Sequence, residues 1–155
     1  MSNKGLTLVE LLVALSISAV ILVTVITFYF NGISFWTGGS TRLELQQHAR
    51  IAAEELVNEM TVASDVCIDR SRQEVRYQKK VGEEELEYRF YLQAEQLLHR
   101  LPGGASVPVA SFIEKLDFCP DGEVVSGSVI SFTLTVSDGK VRIRLRSMVK
   151  PRNLH

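Results

Sequence analysis

The sequence has little of what catalysis is built from. Its three histidines, His48, His99 and His155, lack the spacing of a metal site or of a nucleophile and its base, and all three are expected to be solvated. Its two cysteines, Cys67 and Cys119, stand too far apart for a CxxC redox or zinc motif. The formal net charge of -1 gives no bulk attraction to nucleic acid. Repeats, low-complexity tracts and long runs of one charge are missing as well. The expectation is a non-enzymatic chain without cofactor or metal. Glu83, Glu84 and Glu85 are read as hydrated carboxylates of a hairpin turn rather than as metal ligands.

The largest gap is in charge itself. From Leu11 to Thr41 no side chain is charged. Leu11 to Phe30 alone supplies about 20 apolar residues, the length that crosses a hydrocarbon core of about 30 Å. A secretory signal has a shorter apolar core, and "NGISFWTGG" offers no small-x-small cleavage site after this one, so a retained anchor is the better reading. Lys4 is the only charge before Glu10, which places the N-terminus in the cytoplasm and the rest of the chain outside. In an oxidising compartment Cys67 and Cys119 could bridge; the alternative is two buried thiols.

Beyond Gly38 and Gly39 the spacing of Leu45, Ala49, Ala52, Leu56, Met60 and Ala63 makes one apolar helical face, opposite Glu44, Arg50, Glu54, Glu55 and Glu59. This predicts an amphipathic continuation of the membrane helix, capped by Ser40 or Thr41 if the glycines break it. From Glu74 the pattern alternates. A first hairpin pairs Val75 and Tyr77 with the inward set Leu86, Tyr88, Phe90 and Leu92, and short strands follow at "QLLHRL" and "SFIEKLDFC". A last hairpin turns at Asp138-Gly139, read as type I'. In it Ile130, Phe132, Leu134 and Val136, with Val141, Ile143 and Leu145, face inward. The amphipathic helix is the element long enough to cover the sheet, so the fold class is α+β: one long N-terminal helix packed on an antiparallel β-sheet domain.

Two polar features remain. Arg142, Arg144 and Arg146 form a basic row on one strand face, either a solvated edge or a face for an anionic partner. Glu10 stands alone at the head of the apolar run, either at headgroup level or as an intramembrane carboxylate in need of a partner.

The segment "KGLTLVELLVALSI" resembles the leader and start of the type IV pilin superfamily: a short basic leader ending in Gly5, then Leu6, Thr7, Leu8, Val9 and Glu10. The resemblance implies that a membrane aspartyl peptidase cuts between Gly5 and Leu6 and methylates the new N-terminus at Leu6. Glu10 is then the fifth residue of the mature chain, four along a helix from Leu6 and on its face. It can pair with its own amino group in the bilayer and with a neighbour's in a filament. The order of "QQHARIAAEELVNEMTVASDV", "YRF", "LLHR", "PVASFIEKLDF" and "VKPRN" is similar to minor pilins and pseudopilins of the J type from type II secretion and their pilus counterparts of the W type. Leu6 stands where phenylalanine is commoner, and Thr27 where many major pilins have a kinking proline, which argues for a minor subunit.

What the resemblance implies is a structural subunit helping to initiate a type IV pilus, a type II secretion filament or a competence pseudopilus, at or near its tip. Because tip subunits of the K type lack the glutamate, Glu10 places the chain below the terminal position. Residues 1–5 form the removed leader, 6–30 the transmembrane and filament-core helix, 31–66 its amphipathic continuation, and 67–155 an extracytoplasmic β domain. Partners are other minor and major pilins or pseudopilins, the prepilin peptidase, the inner-membrane assembly platform and, before assembly, lipid. The rival is a membrane-tethered module that captures DNA or an exported substrate through Arg142, Arg144 and Arg146.

Overall fold

The computed structural model describes residues 7–153, apart from the side chain of Thr37. Among the described residues one helix, α1, runs Leu8–Thr61. Nine strands follow it there: β1 Asp65–Asp69, β2 Glu74–Val81, β3 Glu84–Gln93, β4 Gln96–Arg100, β5 Ser106–Ala110, β6 Ile113–Cys119, β7 Gly122–Glu123, β8 Ile130–Ser137 and β9 Arg142–Val149. The chain divides into two compact units, one ending at Thr41 and the other beginning at Arg42.

The first unit is helix alone. It keeps its helical assignment through Gly32, Gly38 and Gly39, so the cap expected at Ser40 or Thr41 is not used. A mid-helix glycine costs only about 1 kcal/mol against alanine, and no proline precedes Pro102 to remove a backbone donor.

In the second unit the apolar face read from the spacing is the buried one. Leu45, Ala49, Ala52, Leu56, Met60 and Ala63 are all buried, and Ala53 joins them. The helix stops at Thr61, short of the expected Val66, and Val66 is already a strand residue paired with Tyr77. The C-terminal segment meets the helix end. The Arg152 N–H donates to the Thr61 carbonyl at 3.0 Å, and Asn153 Nδ2 donates to the Val62 carbonyl at 3.2 Å. Carbonyls that a helix end leaves without partners are thereby satisfied.

The strands form two antiparallel sheets, one of six in the order β5-β4-β3-β2-β1-β7 and one of three in the order β6-β8-β9. In the first hairpin Val75 faces Phe90 and Tyr77 faces Tyr88, the inward set expected. β1 and β5 are strands the pattern did not announce: β1 follows the helix almost at once, and β5 carries Pro108, tolerated because β5 is an edge. In the second sheet Ile130, Phe132, Leu134 and Val136 are buried under α1, while Ile143 and Leu145 are half-buried against the same core. The last hairpin is present, but its turn is not type I'. That turn needs two central residues with positive φ, whereas Gly139 is the only residue of residues 138–141 with positive φ (88°). Asp138 Oδ1 instead accepts the backbone N–H groups of Lys140 at 2.9 Å and Val141 at 2.7 Å, making a longer Asx-type loop.

Two connections tie the sheets together. The Ile113 N–H donates to the Glu95 carbonyl at 2.8 Å, and the Leu116 N–H donates to Gln73 Oε1 at 2.8 Å. Both lie along β6, whose outer edge has no strand partner.

Candidate functional site

The N-terminus of α1 is closed by its own side chains. Glu10 accepts the Thr7 backbone N–H at 2.9 Å and the Thr7 hydroxyl at 2.9 Å, and the Glu10 N–H donates back to Thr7 Oγ1 at 3.3 Å. Thr7-Leu8-Val9-Glu10 is a capping box, the S/T-x-x-E pattern that satisfies two backbone donors reciprocally. That signal stands in the sequence and went unread there. It gives Glu10 a role within the chain in addition to any it has between chains.

Beyond Glu10 the helix surface to Phe35 is apolar and exposed on every side, from Leu8, Leu11 and Leu12 to Phe28, Tyr29 and Phe30. Four of its hydroxyls turn inward. Ser16, Thr24 and Thr27 each donate to the carbonyl four residues back at 2.8 Å, and Ser34 does so at 3.0 Å. Hydroxyls bonded to the helix's own carbonyls cost less in hydrocarbon than free ones. Such a segment is long and apolar enough to cross a membrane. The positions expected for cleavage and methylation, Gly5 and Leu6, lie outside the described residues.

The arginine row lies on β9, an edge strand, and all three side chains are exposed. They are not equivalent. Arg142 is clamped by Glu114, with Nε to Oε2 at 2.8 Å and an NH2 nitrogen to Oε1 at 2.6 Å, a bidentate pair. Arg144 and Arg146 have no ion-pair partner among the described residues. A face for an anion therefore rests on two guanidinium groups rather than three.

Cys67 is half-buried on β1 and Cys119 exposed at the end of β6, and both are free thiols in the structure. The ladder partner of Cys67 is Glu123, in the strand that follows Cys119 after a short loop.

Two histidines correct the expectation of solvated side chains. His99 is buried, stacked on Phe90 with ring centroids 4.3 Å apart, and its Nε2 lies 2.7 Å from the Tyr77 hydroxyl. Tyr77 has one hydroxyl proton and donates it to Glu59 Oε2 at 2.9 Å, so it accepts from His99 Nε2–H. Lys79 Nζ reaches the same Glu59 carboxylate at 3.1 Å. Burial holds the His99 imidazole below its ordinary pKa, with Glu59 and Glu55 pulling against that and Lys79 reinforcing it. His48 is half-buried, its Nδ1 accepting the Ser111 N–H at 3.3 Å and its ring edge-on to Phe112. These groups join the helix to the sheets within a packed interior. The pattern that hid them is that His99 and His48 acquire their partners only from other elements.

Residues 1–26 match the family model for the prokaryotic N-terminal methylation motif. No curated protein and no solved structure matches the chain. The leader implies processing by a prepilin peptidase and assembly with other pilins, points to a structural subunit, and with the apolar helix fits a membrane-anchored protein. The chain carries a type IV pilin-like leader at the head of a pilin-like α+β fold, one long helix and antiparallel sheets.

Proposed function

We propose that the protein is a minor pilin or pseudopilin: a non-enzymatic subunit held in the inner membrane, N-terminus cytoplasmic and domain outside, then incorporated at or near the tip of a short filament. The observation that carries this is Glu10. It is the one carboxylate between the leader and the amphipathic half of α1, and it stands at the first turn of a helix whose other surface is apolar. A lone intramembrane carboxylate costs a few kcal/mol on insertion scales, so it is kept for a partner. The amino group made at Leu6 by cleavage is that partner, first within the chain and then from a neighbour as helices stack with axial stagger. Thr27, in place of a proline, and the order of domain segments support the minor role.

Residues 6–30 then form the filament core, the following helical part carries the domain, and the strands lie outside the membrane. The Cys67–Cys119 bridge belongs to the same reading, supported by the short chain path from Cys119 to the ladder partner of Cys67. The rival, a tethered module for DNA or an exported substrate, draws on Arg144 and Arg146.

Processing tests the reading. Co-expression with a prepilin peptidase shortens the chain by Met1 to Gly5, seen by intact mass. Gly5→Val stops or slows the cut, because a branched side chain blocks close approach of the backbone to the peptidase. Normal processing of Gly5→Val counts against the assignment.

A further inference from the structure

Beside β9 the surface sinks into an open cleft of about 940 Å³, with Arg70, Lys115, Thr133, Thr135 and Arg144 among its walls. Arg146 faces Thr133 across the ladder and Arg144 faces Thr135, so both guanidinium groups rise from the cleft side of the sheet. The two carboxylates in the cleft are engaged. Asp117 is held by Lys115 at 2.8 Å, and Asp121 accepts the Arg70 backbone N–H at 2.9 Å. Among the described residues the guanidinium groups of Arg70, Arg144 and Arg146 are without an ion-pair partner. Among the described residues no aromatic ring lines the cleft, so they offer a base or a sugar ring nothing to stack on. A protein segment bearing carboxylates suits it better than a nucleic acid.

The same chain presents such a segment. β2 and β3 are joined by a tight turn in which Val81 pairs with Glu84 and Gly82 takes a positive φ of 69°. Val81 to Glu85 are all exposed, and the carboxylates of Glu83, Glu84 and Glu85 form no ion pair among the described residues. The turn carries three carboxylates without an ion pair, Glu85 lying opposite Lys80 on the ladder, against a face with three guanidinium groups without one, Arg70 and Arg144 in the cleft and Arg146 beside it. No ion pair joins tip to cleft within one chain among the described residues. Like charges left this way attract opposite charges across an interface and repel their own kind.

We propose that the β9 cleft is a docking site for the acidic β2–β3 hairpin of a second copy of this chain. The contact is heterologous, the tip of one copy set into the cleft of another, rather than a two-fold contact of one patch with itself. It goes beyond the minor-subunit reading, which concerns the helix and says nothing of domain contacts between copies.

The test uses full-length protein in detergent micelles, carried as two differently tagged preparations, with capture of one scored for the other. Wild type pairs with wild type, and rising salt weakens the pairing. Arg144→Glu with Arg146→Glu reverses the cleft, and Glu84→Arg with Glu85→Arg reverses the tip. Each reversed form should lose pairing with itself by about tenfold. Mixed together they should pair again, since each tip then meets an opposite cleft, and that recovery also shows both forms folded. Arg144→Gln with Arg146→Gln is the milder variant and should lose pairing with the fold intact by circular dichroism. Reversed forms that self-pair like wild type overturn the proposal, as does a mixture that fails to recover while both forms are folded. Duplex DNA bound by wild type and lost on cleft reversal, with no pairing of copies, assigns the face to a polyanion and overturns it too.

Discussion

Thr7 and Glu10 close the first turn of α1 on each other, the carboxylate accepting both the Thr7 N–H and the Thr7 hydroxyl at 2.9 Å. The cap lies on the C-terminal side of the Gly5–Leu6 bond, the proposed point of cleavage. One carboxylate thus caps the start of a helix and, in the proposed reading, meets an amino group, and substitutions can separate the two roles.

Glu10→Gln keeps an acceptor for the cap and removes the charge, whereas Glu10→Ala removes both. If pairing with an amino group drives assembly, both variants insert and are cleaved but fail to co-assemble, because a neighbour's amino group is buried uncompensated at a cost of several kcal/mol. Glu10→Asp is intermediate. Crosslinking to partner subunits, with processing followed in the same cells, decides it. Wild-type assembly of Glu10→Gln would reduce Glu10 to a capping residue.

The buried core begins at Leu45 and ends at Val149, all of it within the unit that starts at Arg42. A fragment from Arg42 onward should therefore fold as a soluble monomer with cooperative denaturant unfolding. Leu56→Ala in that fragment should cost about 2–5 kcal/mol, since Leu56 is fully buried between helix and sheets. Ile26→Ala in the full chain, on an exposed apolar surface, should leave the domain's stability unchanged.

His99 makes stability depend on pH. Burial lowers its folded-state pKa, so an unfolded chain takes up a proton near pH 6.5 that the folded chain refuses. Stability is complete above that pH and falls as pH drops from about 6.5 toward the folded-state value. His99→Phe keeps the stack on Phe90, and the Tyr77 hydroxyl keeps Glu59, so the variant should fold and lose this slope. Denaturant midpoints measured between neutral and mildly acidic pH test it, and an unchanged slope in His99→Phe would remove His99 as the cause.

Protein purified from an exporting strain should show Cys67 joined to Cys119 by mass spectrometry under non-reducing conditions. In reduced protein, exposed Cys119 should be alkylated faster than half-buried Cys67. Two free thiols in the exported material would end the bridge proposal and remove one support for the extracytoplasmic placement.

What could be read from the sequence was whatever is written in local periodicity. An apolar run without charge or proline makes the first half of α1, because no residue in it removes a backbone donor and its bonded hydroxyls reinforce carbonyls already in the helix. Leu45, Ala49, Ala52, Leu56 and Met60 repeat at helical spacing, and Ile130 to Val136 alternate, so the buried face of each was fixed before packing. Even the capping box is local, three residues from donor to acceptor. Other features needed partners that no local pattern contains. The Thr61 carbonyl at the end of the helix is satisfied by Arg152, far along the chain. His99 is buried because Tyr77 and Phe90, from two other strands, stack on it. Arg142 is occupied because Glu114, from another strand, pairs with it, while Arg144 has no ion-pair partner among the described residues. Charge and burial of a single side chain depend on distances across the fold, and those only the tertiary structure sets.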